Sequence, residues 1–342
     1  TRCSRDWSSD VCSSDLDDTI DGTITLDTGT TSNASNNKWT NHPAFTFGTT
    51  ELTGIWVAKF EPTAVEGVEN GYTDYMCNTT GDNVTTKTIK IVPNVQSWRC
   101  INADNTFKLI RNMETKSVYG WDTASTLQSD GTFTTDTNDV DTHLMKNIEW
   151  GAVVYLSKST FGKNKDEIWK NNSKLYITGC SGNSSNSSFY EGCQNAYNTV
   201  NGMQASTTGT IYGIYDIKGG GLEIVSSYVN NGSLTVTSIL NAASKYKDIY
   251  TMAATETQAN NYALTINKKG DAMYETSNSG VYGSNTWFNT YSEMAVSDTP
   301  MLTRSIGFWD TGNGVFKFEG TGGYATSSML GFRPVLLVAD GL

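Results

Sequence analysis

The stretch from Thr208 to Tyr228, TGTIYGIYDIKGGGLEIVSSY, limits what this chain can fold into more than any other. Two apolar runs, Ile211-Tyr212-Gly213-Ile214-Tyr215 and Leu222-Glu223-Ile224-Val225, flank a turn and read as two strands. Asp216 is placed to accept the N–H groups of that turn, and Gly219, Gly220 and Gly221 permit backbone angles that a Cβ forbids. Glu223 is the constraining residue. Set among Leu222, Ile224 and Val225, its carboxylate either alternates out to solvent or, if buried, needs a cation or several donors.

The surroundings of this stretch are polar without being highly charged. Of 342 residues 17% are charged and 37% hydrophobic, and Asn, Ser, Thr and Gly fill most polar positions, so an irregular, strand-rich and loop-rich α+β architecture with few helices is expected. A net charge of −11 with no basic patch argues against nucleic acid or an anionic membrane as partner, and no apolar run is long enough to span a bilayer. Residues 1–16 are polar and aperiodic, and Asp6 to Leu16 resemble a translated sequencing adapter, so this segment is set aside as a disordered artefact. Residues 17–40 read as a polar linker in which Thr23 to Leu26 form an edge strand, and residues 41–339 as one domain.

Along that domain, Leu52 to Glu61 is a central strand with apolar groups on both faces, and Ile89 to Val92 a short one stopped by Pro93. Phe107, Leu109 and Ile110 lie in a mixed segment, and Thr123 to Asp141 in a Ser/Thr/Asp-rich insertion. Asp136, Asp139 and Asp141 leave room for a structural calcium ion, although a surface acidic loop explains them as well; Asp17, Asp21 and Gly22 lack calcium-loop spacing. Asp141-Thr142 caps a helix from His143 to about Lys158, with Leu144, Ile148, Ala152 and Tyr155 on one face and Trp150 as a core anchor. Leu234 to Leu240 reads as a strand, Tyr246 to Asn261 as a polar connection, and Tyr262, Leu264 and Ile266 as another strand.

Once residues 1–16 are set aside, four cysteines remain. A bridge between Cys180 and Cys193 would restrain the polar loop GCSGNSSNSSFYEGC, and Cys77 with Cys100 makes a second pair. Four cysteines allow three pairings, and spacing excludes neither these nor free thiols. No Cys/His cluster points to zinc.

Five segments resemble, in order, the formylglycine-generating-enzyme-like (sulfatase-modifying-factor) superfamily. Gly213, Asp216, Gly219 and Glu223 match its central Gly-x-x-Asp-Met-x-Gly-Asn-x-Trp-Glu-Trp run, with Leu222 and Ile224 in place of both tryptophans and Gly220 in place of Asn. Lys59, Glu61 and Thr63 match its first strand, Glu149 to Ser157 its Trp-containing helix, Met301 to Trp309 its Arg-Gly-Gly-x-Trp segment, and Gly331-Phe332-Arg333 its closing strand. The Leu-Pro-Thr-Glu-x-Glu-Trp-Glu pattern of the second helix is missing around Glu167-Ile168-Trp169. The resemblance implies a single C-type-lectin-like domain with its terminal strands side by side. Arg333 or Arg304 is the expected partner of a buried Glu223, because a guanidinium satisfies both carboxylate oxygens.

The family's chemistry does not transfer with the fold. Formylglycine formation needs a cysteine pair late in the domain, and no cysteine follows Cys193; a three-histidine iron site cannot be assembled from His42 and His143. A serine triad lacks its base, and the glycine run is no phosphate loop. No catalytic residue is expected and no cofactor is required. The expectation is a non-catalytic surface or extracellular recognition protein, from a bacterium or its phage, binding a glycan or a protein through loops on a rigid base. Trp287 and Asn289 in one loop, and Trp309, Asn313 and Tyr324 in another, are the candidate contacts, with Trp287 and Trp309 open also to a core role. A superfamily enzyme of unrecognised chemistry and a structural module of a phage tail or surface filament are the alternatives.

Overall fold

The computed structural model describes residues 2–4, 42–67, 86–121, 124–137, 140–182, 189–230, 234–265, 270–278, 286–287, 290–310, 312–323 and 329–338. Apart from two-residue ladders and 3-10 turns, the elements in chain order are β1 (Arg2–Ser4), β2 (Gly54–Val57), α1 (Ala103–Arg111), β3 (Val140–Leu144), α2 (Asn147–Ser157), β4 (Leu222–Asn230), α3 (Thr237–Asn241), β5 (Asp248–Thr251), α4 (Gln258–Thr265), β6 (Met301–Arg304), β7 (Phe318–Thr321), β8 (Leu330–Phe332) and β9 (Pro334–Val338). Strands thus outnumber helices, as an α+β chain with few helices requires.

Two sheets organise the molecule. One runs β1-β2-β9-β3, all antiparallel, and places the last strand against the first of the domain through Val335 opposite Val57 and Leu336 opposite Trp56. The expected meeting of the terminal strands is therefore observed. The other sheet is built on β4, antiparallel to β6 along one edge and parallel on the other edge to β8 at its start and β5 at its end, with β7 outside β6. From Glu223 to Val229 every residue of β4 is buried, which is the property of a strand covered on both faces. A single apolar cluster runs between the sheets from Phe45 and Ile55 through Trp150 and Ile224 to Phe332 and Val335.

Several local expectations are corrected, each for a physical reason. Asp141 and Thr142 do not cap a helix: residues 140–144 pair with β9 as a strand, and α2 begins only at Asn147, where the Glu149 side chain accepts the Lys146 N–H at 2.7 Å. That helix is enclosed on nearly all sides, Tyr155 being its one half-buried residue, and Trp150 is completely buried as the core anchor expected. The run Ile211 to Tyr215 is a turn, not a strand, with Tyr212 77% exposed, because Thr207 and Ile214 close the loop on themselves through backbone and hydroxyl bonds. The strand from Leu52 shortens to Gly54–Val57, with Trp56 turned outward.

Two strand-like apolar runs become helices, and in the second of them polar residues do the packing. The segment after Leu234 becomes α3, and Tyr262 and Leu264 lie on α4, whose buried face consists of Asn261 and Thr265. Asn261 accepts the Ala253 N–H at 2.8 Å and donates to the Ala295 carbonyl at 2.9 Å, so an amide takes the place of an apolar anchor. The polar connection after Tyr246 contains β5, and the mixed segment at Phe107 is α1, capped by Asn102, whose Oδ1 accepts the Asn105 N–H at 2.8 Å. Ala103, Thr106, Phe107 and Ile110 face inward at helical spacing, a pattern present in the sequence but overlooked. At the N-terminus, Arg2–Ser4 lies antiparallel on β2, within the segment read as disordered; the 17–40 linker, with Asp17, Asp21, Gly22 and Thr23 to Leu26, lies outside the described residues.

Cys180 and Cys193 form a disulfide with their Cα atoms 5.3 Å apart, fastening the loop expected from the sequence. Cys100 is buried and also disulfide-bonded, whereas Cys77 lies outside the described residues. Replacing both Cys180 and Cys193 by serine is expected to lower stability by about 2–4 kcal/mol through the freed loop entropy. Calorimetric melting checks this, and an unchanged Tm would remove the disulfide from the account of stability.

Candidate functional site

The centre of the molecule is a charged knot around Arg333, at the junction of β8 and β9. Its Nε and Nη2 donate to the two oxygens of Glu223 at 2.9 and 2.5 Å, Nη1 to the Ala58 carbonyl at 2.6 Å, and Nη2 also to the Tyr215 carbonyl at 3.1 Å. Glu223 is thus buried and paired, and Arg333 is the partner. Arg304, although opposite Glu223 in the β4–β6 ladder, sends its side chain elsewhere, to Asn147 Oδ1 at 2.5 Å and to the carbonyls of Asp271, Ala272 and Phe316.

Asp216 does not serve the glycine turn that follows it. With φ at +60°, its carboxylate points back to accept Asn171 Nδ2 at 2.8 Å, the Gly179 N–H at 2.9 Å and the Glu61 N–H at 3.3 Å. Glu61 in turn accepts the Gly221 N–H at 2.9 Å. The glycines are needed for close approach: a Cβ on Gly219, at φ +83°, would stand 2.2 Å from the Asn171 carbonyl, and one on Gly220 2.6 Å from Glu61 Oε1. Three buried carboxylates therefore share one guanidinium. Burial, reinforced by Asp216 and Glu223, pushes Glu61 well above the usual carboxylate range; burial also raises Asp216 and Glu223, against the pull of Arg333. All four charged side chains of the knot are closed off from solvent.

A second buried network fixes β3 to α2. His143 Nδ1 lies 2.9 Å from Asp141 Oδ1 and Nε2 3.0 Å from Glu149 Oε1, with its ring stacked on Phe47. Both nitrogens face carboxylates, an arrangement that suits the doubly protonated ring. Burial opposes that charge, yet Glu149 and Asp141 outweigh it and the histidine pKa is raised. Arg111 pairs with Glu114 at 2.6 Å and Asp141 at 3.1 Å, and Tyr246 donates to Asp141 at 2.8 Å. Asp141, with its oxygens occupied in this way, is no calcium ligand on a surface loop; Asp139 lies outside the described residues. No described group of His, Cys, Asp and Glu is arranged to hold a metal ion.

The candidate contact loops rest on a third cluster, which the sequence reading passed over because the expected helix pattern was missing there. Glu167 accepts the Trp287 indole N–H at 2.6 Å and the Val315 N–H at 3.1 Å, with the Lys158 and Lys218 ammonium groups each 3.4 Å away. Asn313 is buried, donating to Asp310 at 2.9 Å and accepting the Tyr291 N–H at 3.1 Å, while Thr290 Oγ1 accepts the Gly314 N–H at 2.7 Å and Lys170 donates to the Asp310 carbonyl at 2.5 Å. Asn313 is thus buried in the bonds that hold these loops, and Trp287, half-buried, is tied to them through its indole N–H. Asn289 and Tyr324 lie outside the described residues.

Trp309 has a different set of neighbours. It is half-buried, packed edge-on against Phe308 at 5.1 Å between ring centres, and Phe189 packs edge-on against the same ring at 5.5 Å. Phe189 and its neighbour Tyr190 are 51% and 47% exposed and belong to the loop closed by Cys180 and Cys193. The aromatic pair in an otherwise Ser/Asn-rich loop was the available sequence signal for them. Phe189 and Trp309 thus flank the buried Phe308, with Tyr190 exposed next to Phe189 in the chain, on a base held by a disulfide and by Glu167, Asn313 and Lys170. No family model matches this chain, and no curated protein matches it at a significant level.

Two outcomes follow from the buried networks. Glu223→Ala, which leaves Arg333 enclosed without its carboxylate, is expected to cost about 3–5 kcal/mol in urea denaturation, and an unchanged midpoint would sink the pairing. Stability should also fall as pH rises above about 6.5; below that value His42, lowered to about 4 by burial, contributes in the opposite sense and offsets the loss from Glu114. Glu114, pushed up to about 7 by burial against the pull of Arg111, and His143, also raised, contribute stability that is complete below their unfolded values of 4.5 and 6.5 and is lost as pH rises through their native values. Asp141 and Glu149 act in the opposite sense: held at about 2, against burial, by Arg111 and by Lys146 with His143 respectively, they lose their contribution only as the solution becomes acidic. His143→Gln is expected to flatten the decline above its unfolded value, and parallel curves for the two proteins would refute this assignment.

Proposed function

We propose that this is a non-catalytic recognition protein of a cell surface or extracellular setting, with a C-type-lectin-like scaffold that binds a glycan or a protein through its loops. The observation that carries the reading is the aromatic patch of exposed Phe189 and half-buried Trp309 against Phe308, with exposed Tyr190 next in the chain, on loops that are otherwise tied down. Flat aromatic faces supply contact area at small entropic cost, and loops fixed beforehand lose little freedom when a ligand arrives. Sugar rings, with apolar C–H faces and polar edges, suit such a surface. The Cys180–Cys193 disulfide supports an oxidising environment. The strongly perturbed carboxylates Glu61, Asp141 and Glu149, which might have suggested acid–base chemistry, are enclosed in structural networks.

Trp309→Ala and Phe189→Ala are expected to weaken binding at least about tenfold, which corresponds to 1.4 kcal/mol, while leaving the melting curve in place. The measurement is a glycan-array and immobilised-protein screen with the intact chain, followed by titration of the variants against whatever binds. Undiminished binding by both variants would overturn the aromatic surface as the site.

A further inference from the structure

A cleft of about 400 Å³ opens elsewhere, between α1, the 124–136 hairpin and α3. Its floor is Phe107 and Leu127, and its walls carry Asn112, Gln128, Ser129 and Asn241, with Lys108 and Thr237 beside them. The three walls are fastened to one another. Asp104 on α1 accepts the Ser238 N–H of α3 at 2.8 Å, the Asp130 carbonyl of the hairpin accepts the Ala243 N–H at 2.7 Å, and Arg111 Nε donates to the Gly131 carbonyl at 2.7 Å. Gly131, at φ +81°, lies so close to the Phe107 ring that a Cβ there would stand 2.9 Å from it, so the turn rests directly on the cleft floor. The shape is set before any ligand arrives.

The chemistry of the lining is specific. It contains three side-chain amides and the three hydroxyls of Ser129, Thr237 and Ser238 but no carboxylate, and the ammonium of Lys108 is engaged by Asp104 one helical turn away. Among the described residues, the side chains of Asn112, Ser129 and Asn241 make no hydrogen bond, and Gln128 uses only its Nε2, donating to the Thr126 carbonyl at 3.0 Å. An amide offers a donor and an acceptor side by side, and a hydroxyl offers both on one atom. These are the complements of a polyol, in which every hydroxyl also donates and accepts. The volume lies in the range of small-molecule sites, about 300–1,000 Å³, at the size of one or two sugar rings. An apolar floor beneath polar walls matches a pyranose, with its C–H face below and its hydroxyls at the rim.

We propose that this cleft is a binding site for a neutral saccharide of one or two rings, separate from the aromatic surface at Trp309. Its recognition comes from Asn112, Gln128, Ser129 and Asn241 reading the hydroxyls and from Phe107 and Leu127 under the ring. The test uses the full chain with a panel of methyl glycosides of glucose, galactose, mannose and N-acetylglucosamine, followed by saturation-transfer NMR and calorimetry, with an acidic sugar for comparison. At least one neutral glycoside is expected to bind. Asn112→Ala combined with Asn241→Ala should weaken it at least about tenfold. Ser129→Trp, at an exposed position, should block the cleft and abolish binding, and Trp309→Ala should leave it unchanged. Absence of binding by every neutral glycoside, stronger binding of the acidic sugar, or binding that survives the cleft variants would each overturn the proposal. Binding that survives Ser129→Trp but is lost in Trp309→Ala would reject this cleft while supporting the aromatic site, so the two readings fail separately.

Discussion

The ion pair between Arg333 and Glu223 is the contact on which the rest of the fold depends. One guanidinium holds the central strand through Glu223, the end of the first through the Ala58 carbonyl, and the turn before the glycine run through the Tyr215 carbonyl. A buried guanidinium left with unmet donors is costly, so these segments must arrive together. The glycines at 219 and 220 follow from the same requirement. Their backbone passes close to Asn171 and Glu61, leaving no space for a side chain.

Around that joint the interior is unusually polar. Asn147, Asn171, Asn261, Ser226 and Ser227 are buried, and each makes directed hydrogen bonds that an apolar side chain would not. Such bonds contribute modestly to net stability but penalise misplacement, so they fix which surfaces of the helices and strands meet. The His143 network does the same for α2. Glu149 meets both the Lys146 N–H and the histidine ring, joining the start of the helix to the strand before it.

The third cluster turns this internal order outward. Glu167 and Asn313 tie together loops that come from distant parts of the chain, and the disulfide fixes the neighbouring one. On that base the rings of Phe189, Tyr190 and Trp309 remain available to solvent. The cleft beside α1 shows the complementary design, in which tied walls leave unused amides and hydroxyls facing a cavity. In both places rigidity comes from residues that would not themselves touch a ligand.

The sequence by itself determined the features that depend on local chemistry. A carboxylate embedded in an apolar strand needed solvent, a cation or several donors, Trp150 needed a core, the glycine run needed a turn with unusual backbone angles, and two cysteines bounded a loop with no core of its own. It also exposed the near-absence of long helical patterns. Only tertiary structure decided between Arg333 and Arg304, because the choice depends on where each side chain leaves the sheet and Glu223 lies 110 residues from its partner. Tertiary structure likewise turned the residues before α2 into a strand, since pairing with β9 satisfies their backbone groups, and made helices of segments with strand-like alternation, since Asn261 and Thr265 supply the buried face. It also tied Trp287 and Asn313 into the hydrogen bonds that hold loops and packed the half-buried Trp309 on Phe308. An aromatic or an amide reads the same in sequence whether it packs or waits for a ligand; its surroundings, assembled from residues far along the chain, make the difference.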